Sequence, residues 1–134
     1  ETNSVKVFDL ELNLLKNISF SGEPDSMHIN SINKIGSDIY YTCFGEFQKH
    51  KEYNDFKYKK KGYVSNLNTK KKIITKLNQP HSIYQNKNKI FLLNSANSEL
   101  KIFDTKFKFL KNILLKGYLR GLEIRDNIIY VGSS

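Results

Sequence analysis

The sequence predicts an all-β fold built from repeated hairpins, and three observations support this prediction. Residues 80–95, PHSIYQNKNKIFLLNS, have the pattern of a short strand, a polar turn and an apolar strand, and residues 29–44 and 119–134 repeat it. A second hairpin, at residues 5–21, recurs at residues 101–116 with a constant offset of 95. No stretch shows the sustained apolar period and the caps of a helix. We therefore expect short antiparallel strands throughout the chain.

The order of the two hairpins predicts a repeating unit of four strands. With the strands labelled a to d, the first hairpin is a–b and the second is c–d. Residues 1–24 then form c–d, residues 25–79 and 80–118 each form a–b–c–d, and residues 119–134 form a–b. The copies of strand b at 90 and 129 are 39 residues apart, whereas those at 39 and 90 are 51 apart because a loop is inserted between them.

Four-stranded units of this length are typical of the blades of a β-propeller, and a β-sandwich is the alternative for many short strands. Because a sandwich does not require such a repeat, the sequence favours a single propeller domain with about three blades' worth of strands, half of a six-bladed ring. An open, apolar edge strand is an aggregation hazard unless it is covered. We expect either self-association or the remainder of a longer chain to complete the ring.

The inserted loop at residues 48–61, QKHKEYNDFKYKKK, is crowded with charge and has no apolar period. The simplest interpretation is a solvated loop. The aromatic residues Tyr53, Phe56 and Tyr58 allow an alternative, a scaffold that binds protein or nucleic acid through this Lys-rich loop.

The net charge of +9 also suggests nucleic-acid binding, because clustered basic residues displace counterions from phosphate. Only Arg120 and Arg125 are arginines, however, and arginine is the residue that bidentate phosphate and base contacts favour. The abundance of Asn and Ile also resembles the amino-acid usage of an AT-rich genome. We therefore expect nucleic acid not to be the partner.

A candidate ligand site follows from aligning the a strands without gaps. Asn30, His81 and Arg120 take equivalent positions, and His28 lies two residues before Asn30 on the same face of its strand. Strand a lines the central channel of a propeller, so these polar side chains would form a ring there, with Asn94 at the end of a b strand. Such a ring predicts a ligand site, and Arg120 favours a small anionic ligand. The alternative is that these side chains merely hydrogen-bond the inner strands and channel waters.

His28 and His81 also allow a second function, a metal-dependent hydrolase or lyase of the gluconolactonase type with a channel-bound divalent metal. A metal normally takes three or four ligands, and no third histidine joins the ring. The sequence contains no nucleophile elbow, P-loop, Rossmann fingerprint or EF-hand loop. Whether the protein is an enzyme therefore stays open at this point.

The remaining features bear on the compartment. The one cysteine, Cys43, excludes an internal disulfide and fits a reducing environment. No apolar run approaches the roughly 18 residues of a membrane span, and no basic-then-apolar signal peptide is present. We expect a cytoplasmic protein without a membrane partner.

Three segments of the chain resemble the domain of unknown function 4915 family, bacterial proteins similar to six-bladed propellers. The matching elements are an H-x-N element, a P-H-S element, a strand ending in L-N-S with a following E-L, an R-G-L element, and a strand ending in V-G. In this sequence they are His28 and Asn30; Pro80, His81 and Ser82; Leu93, Asn94, Ser95, Glu99 and Leu100; and Arg120, Gly121, Leu122, Val131 and Gly132.

The order and spacing of these elements agree with the family over residues 25–134. The chain departs from the family at Ala96, where the family has glycine, and at Ile83 and Tyr84, which replace Pro-Arg-Trp. Family members are longer than this chain, which favours half a ring. The resemblance implies a propeller fold and carries no activity.

Overall fold

A computed structural model describes residues 2–134, which form strands, turns and three short 3₁₀ helices. The strands are β1 (Ser4–Phe8), β2 (Leu14–Ser19), β3 (Ile29–Ile35), β4 (Asp38–Cys43), β5 (Gly62–Asn66), β6 (Lys72–Leu77), β7 (Pro80–Asn86), β8 (Lys89–Asn94), β9 (Glu99–Asp104), β10 (Phe109–Leu114), β11 (Leu119–Arg125) and β12 (Ile128–Ser133). The 3₁₀ helices are Glu52–Asn54, Phe56–Tyr58 and Ser95–Asn97. The predicted all-β class is confirmed.

The strands form four separate antiparallel sheets in chain order. Two sheets have four strands, ordered β3-β4-β5-β6 and β7-β8-β9-β10, and two are hairpins, β1-β2 and β11-β12. Every paired strand lies next to its neighbour in the sequence, as short polar turns require. Such sheets are compatible with propeller blades.

The backbone repeats with the offsets seen in the sequence. Leu12 and Phe107, 95 residues apart, both have a positive φ, 66° and 61°. Gly36, Lys87 and Asp126, separated by 51 and 39 residues, have φ values of 60°, 52° and 49°. Because non-glycine residues rarely take this conformation, its recurrence shows that these equivalent turn positions share a left-handed backbone conformation.

The apolar pattern of β8 explains how the sheets stack. Successive side chains of a strand point to opposite faces of its sheet. Ile90 and Leu92 pack toward the β3–β6 sheet, and Phe91 and Leu93 pack toward the β11–β12 hairpin. Both faces of β8 are therefore apolar, because a neighbouring sheet packs against each of them.

The core consists of three layers, each between two successive sheets. The layer between β1–β2 and β3–β6 contains Val5, Met27, Tyr41, Cys43, Tyr63 and Leu67. The middle layer contains Ile35, Tyr40, Val64, Leu77, Ile83, Ile90, Leu92 and Phe103. The third contains Phe91, Leu93, Leu100, Ile102, Leu119 and Ile124. Each sheet thus packs on the next one along the chain, and the outermost strand β10 is exposed along its whole length.

The inserted loop 48–61 is only partly solvated. Phe56 is 75% exposed, as a loop tip should be, but Tyr53 is buried against Phe44 and Phe47. The expectation of a solvated loop is therefore wrong for Tyr53, since these aromatic rings bury one another although the loop has no apolar period.

Over residues 2–134 the structure contains no helix with the length and apolar character of a bilayer span.

The stacked core makes a direct prediction about stability. Leu92 is fully buried in the middle layer, whereas Leu10 is 98% exposed in a turn. We expect Leu92→Ala to lower the free energy of unfolding by about 2–5 kcal/mol, because it removes buried methyl groups and leaves a cavity. Leu10→Ala should change it by less than about 0.5 kcal/mol. Denaturant unfolding of both variants checks this, and equal effects would contradict the layered core.

Candidate functional site

Side-chain hydrogen bonds join β3 and β4 of one large sheet to β7 of the other. Asn30 Nδ2 on β3 donates to the carbonyl of Pro80 at 3.2 Å, and Thr42 Oγ1 on β4 donates to the carbonyl of His81. Asn33 Nδ2 donates to the carbonyl of Ile83 at 2.7 Å. β3 and β7 share no backbone ladder, so these side chains satisfy backbone groups that would otherwise lack a partner.

The same bonds bring the predicted site residues into one continuous row. The ring of Phe44 lies between the two histidines, with centroid distances of 4.4 Å to His28 and 5.4 Å to His81. Nη1 of Arg120 lies 3.5 Å from Nε2 of His81. His28, which immediately precedes β3, His81 on β7 and Arg120 on β11 are therefore linked into one row.

His28 is held by a buried acid and a tyrosine. Its Nδ1 donates to Oδ1 of Asp25 at 2.6 Å, and the Tyr53 hydroxyl donates to Oδ2 of the same carboxylate at 2.9 Å. The Tyr53 oxygen also lies 3.0 Å from Nδ1. The side chain of Asp25 is only 4% exposed and that of His28 is 29% exposed. The carboxylate is therefore buried, and the imidazole is partly exposed to solvent.

His81 is neutral at physiological pH. Burial is the main cause that lowers its pKa to about 4, and the nearby charge of Arg120 acts in the same direction. Its Nδ1 lies 3.2 Å from the carbonyl of Gln79 and 3.0 Å from the Ser95 hydroxyl. Because a carbonyl only accepts hydrogen bonds, Nδ1 carries the proton and Nε2 carries the lone pair that faces Arg120.

Arg120 is an exposed cation without an acidic partner. Its guanidinium lies over the ring of Tyr118, 5.0 Å from the centroid, and its Nε donates to the Ser134 hydroxyl at 3.2 Å. Among the residues that the structure describes, no carboxylate forms an ion pair with it. The positive charge of Arg120 is thus available to an anion.

The other two predicted residues have different roles. Asn30 borders the row, and because only its Nδ2 is used, for the carbonyls of His28 and Pro80, its Oδ1 is left as an acceptor. Asn94 is buried: its Oδ1 accepts from the backbone N–H of Asn78 at 2.6 Å, and its Nδ2 donates to Glu99 at 2.6 Å. With both amide atoms bonded, Asn94 supports the turn before β7.

A cleft of about 360 Å³ lies beside His28 and Asn30. Its wall also contains the hydroxyl groups of Thr2 and Ser4, which lie 2.9 Å apart, and the half-exposed side chain of Ile32. A volume of this size is that of a small-molecule pocket, and the wall offers hydrogen-bonding groups with one apolar contact.

The donor set fits a metal poorly. Within residues 2–134 no group of three or more His, Cys, Asp or Glu side chains is placed to hold an ion. Nδ1 of His28 is bonded to Asp25, and Nε2 of His81 faces the guanidinium of Arg120, which repels a cation. Metal binding by His28 and His81 stays a prediction that these contacts do not favour.

The one cysteine is no candidate nucleophile. Cys43 is completely buried in the first core layer. Burial raises the pKa of its thiol to about 12, so the reactive thiolate does not form at neutral pH.

Sequence reasoning did not assign Asp25, Phe44, Tyr53 or Tyr118 to the site. A signal existed for Tyr118, because the repeat offsets place it at the position that corresponds to His28 and lies two residues before Arg120. No such signal existed for Tyr53, because it lies in an insertion that the other repeat unit lacks.

The neutral state of His81 makes stability depend on pH. The unfolded chain binds this proton near the ordinary histidine pKa of about 6.5, and the folded chain only near pH 4. The free energy of unfolding should therefore fall as pH drops from about 6.5 to about 4, by about 1–2 kcal/mol after allowing for solvent screening beside the exposed Arg120. Denaturant unfolding at a series of pH values should show a shallower fall for His81→Gln, and identical slopes would contradict the buried neutral imidazole.

A family model matches the part of the chain that contains this row. The family model described as Domain of unknown function (DUF4915) matches residues 16–134, a span that contains most of β2, all of β3 to β12 and every residue of the row. The chain has no match among the curated proteins. Since the family model covers most of its length, the chain belongs to the family of the domain of unknown function DUF4915.

Proposed function

We propose that this protein is a binding module for a small anionic ligand, held by Arg120 with His81, Asn30 and His28 beside it. The observation that carries the proposal is the guanidinium of Arg120. It is exposed, forms no ion pair within the described chain, and lies next to a neutral imidazole instead of a carboxylate. A carboxylate or phosphate is the partner that a guanidinium binds through paired, charge-assisted hydrogen bonds.

The surroundings of Arg120 support an anion over a cation. Tyr118 supports the guanidinium from below, and its hydroxyl donates to Oε1 of Gln79 at 2.8 Å, which fixes the ring. A guanidinium held in one orientation loses less side-chain entropy when a ligand binds. The other functions, a metal-dependent hydrolase or lyase and a scaffold using loop 48–61, have no comparable observation, and the cytoplasmic location likewise stays an expectation.

We also propose that the four sheets are blades of a β-propeller and that the row lies at its channel. The stacking of successive sheets through apolar faces supports this, as does the inner position of β3, β7 and β11, each an edge strand that faces its counterpart in the next sheet. In the described chain, β1 and β12 pair on one edge only. Strands from a second copy, or from a longer chain, would complete the ring at those edges.

The proposal predicts that one arginine controls anion binding. We expect calorimetric titration with D-gluconate, hexanoate and inorganic phosphate to detect binding of at least one anion. Arg120→Gln should weaken that binding about tenfold or more, because a hydrogen-bonded charge is worth about 1.5–3 kcal/mol.

Arg125→Gln is the matched control, because Arg125 is the other arginine of the chain, lies on the same strand and is 81% exposed beside Asp126. Its affinities should equal those of the unmodified protein. Equal losses in both variants would mean that net charge alone attracts the anion, and no binding of any probe would refute the proposed function.

A further inference from the structure

We propose that the ligand is a hydroxylated carboxylate, such as a sugar acid, and that His28 accepts a hydrogen bond from one of its hydroxyl groups. This inference rests on the anionic-ligand function proposed above, in which Arg120 binds the carboxylate. It adds a second half to the site, formed by His28, Asp25 and Tyr53.

The hydrogen bonds of His28 determine which ring nitrogen faces the ligand. A carboxylate only accepts hydrogen bonds, so the 2.6 Å contact with Asp25 places a proton on Nδ1. Nε2 is then the ring nitrogen left to accept a hydrogen bond, and no residue of the described chain donates one to it. An imidazole fixed in this way presents an acceptor, and a hydroxyl group is the natural donor for it.

The imidazole is also held in one orientation. Phe44 packs against it at 4.4 Å and Tyr53 at 4.9 Å between ring centroids, on top of the bond to Asp25. Tyr53 in turn donates to the second oxygen of Asp25. Such preorganisation lowers the entropy that binding must remove.

The cleft beside His28 has the character of a polyol site. Thr2 and Ser4 contribute hydroxyl groups that both donate and accept, and Asn30 contributes a free carbonyl oxygen. Ile32 supplies an apolar surface for the carbon chain. The cleft of about 360 Å³ is of the size that holds a sugar-sized molecule.

The two halves of the site are linked through one ring. Phe44 contacts both His28 and His81, and Nη1 of Arg120 lies 3.5 Å from Nε2 of His81. A sugar acid that spans this row would place its carboxylate at Arg120 and its hydroxyl groups toward His28.

The hydroxyl half depends on the inserted loop. Tyr53 comes from loop 48–61, and the other four-stranded sheet has only the Ser95–Asn97 turn at the corresponding place. Loop 48–61 therefore supplies Tyr53 as a positioning residue for His28. This explains why Tyr53 is buried in a loop so rich in charge, since its hydroxyl bonds the carboxylate of Asp25.

The test compares three probes of equal carbon number by calorimetric titration. D-gluconate has the carboxylate and the hydroxyl groups, hexanoate has only the carboxylate, and sorbitol has only the hydroxyl groups. We expect gluconate to bind about tenfold more tightly than hexanoate, as one or two additional hydrogen bonds allow, and sorbitol to bind most weakly.

Variants assign the difference to its residues. His28→Asn keeps a donor for Asp25 but removes Nε2, so it should lower gluconate affinity to the level of hexanoate and leave hexanoate affinity unchanged. Tyr53→Phe should reduce the gluconate preference about threefold, again without changing hexanoate affinity, because a residue that only stabilised the fold would affect both probes. Arg120→Gln should weaken both.

Equal affinities for gluconate and hexanoate, both lost in Arg120→Gln, would overturn the hydroxyl half and leave the anionic-ligand function standing. A gluconate preference that survives His28→Asn would overturn the role of His28. Binding that is independent of Arg120 would overturn the proposed function together with this inference.

Discussion

The arrangement of the site depends on hydrogen bonds from side chains of one sheet to the backbone of the next. β3 and β7 approach each other without a backbone ladder, and the side chains of Asn30, Asn33 and Thr42 supply the missing partners. A buried carbonyl or N–H without a partner costs about 1–3 kcal/mol, so polar residues on these strands are a requirement of the fold before they are a feature of a site. They also determine the distance between His28 and His81, because Thr42 holds the His81 carbonyl directly.

The hydrogen bonds separate side chains that the fold uses from side chains that it leaves free to contact a ligand. Asn30 and Asn94 both satisfy backbone groups, but Asn94 is buried with both of its amide atoms bonded, whereas Asn30 keeps an acceptor at the cleft. Within residues 2–134 the guanidinium of Arg120 satisfies no backbone carbonyl; the side chain lies on Tyr118 and bonds only the Ser134 hydroxyl and the edge of His81. Under the proposed function, this cation is the residue with most scope to bind a ligand.

Much of the fold was predictable because it follows from local sequence patterns. The continuous apolar run of β8 follows from a strand that is buried on both faces, and the recurrence of the hairpins at fixed offsets follows from a repeated strand and turn pattern. The positive φ of Leu12 and Phe107 was not predictable from residue type, since neither residue favours that conformation. The row was predictable from gapless alignment, which gives the height of a residue along its strand. Alignment does not give the direction of a side chain at the end of a strand, so Asn94 was grouped with the other site residues. Alignment also contains no information about an insertion, so Tyr53 was missed.

Under the proposed function, the electrostatics of the row narrow the kind of ligand that it would bind. A protonated His81 would add a second positive charge beside Arg120, yet burial keeps this imidazole neutral at physiological pH. The row therefore presents one permanent positive charge at Arg120, a His81 imidazole whose Nε2 already faces that guanidinium, and the imidazole of His28, whose Nδ1 is bonded to Asp25. A dianion would find only one guanidinium, and an apolar anion would leave His28 without a hydrogen-bond donor. A monoanion with hydroxyl groups fits both ends of the row, because its charge meets the arginine and a hydroxyl proton meets Nε2 of His28.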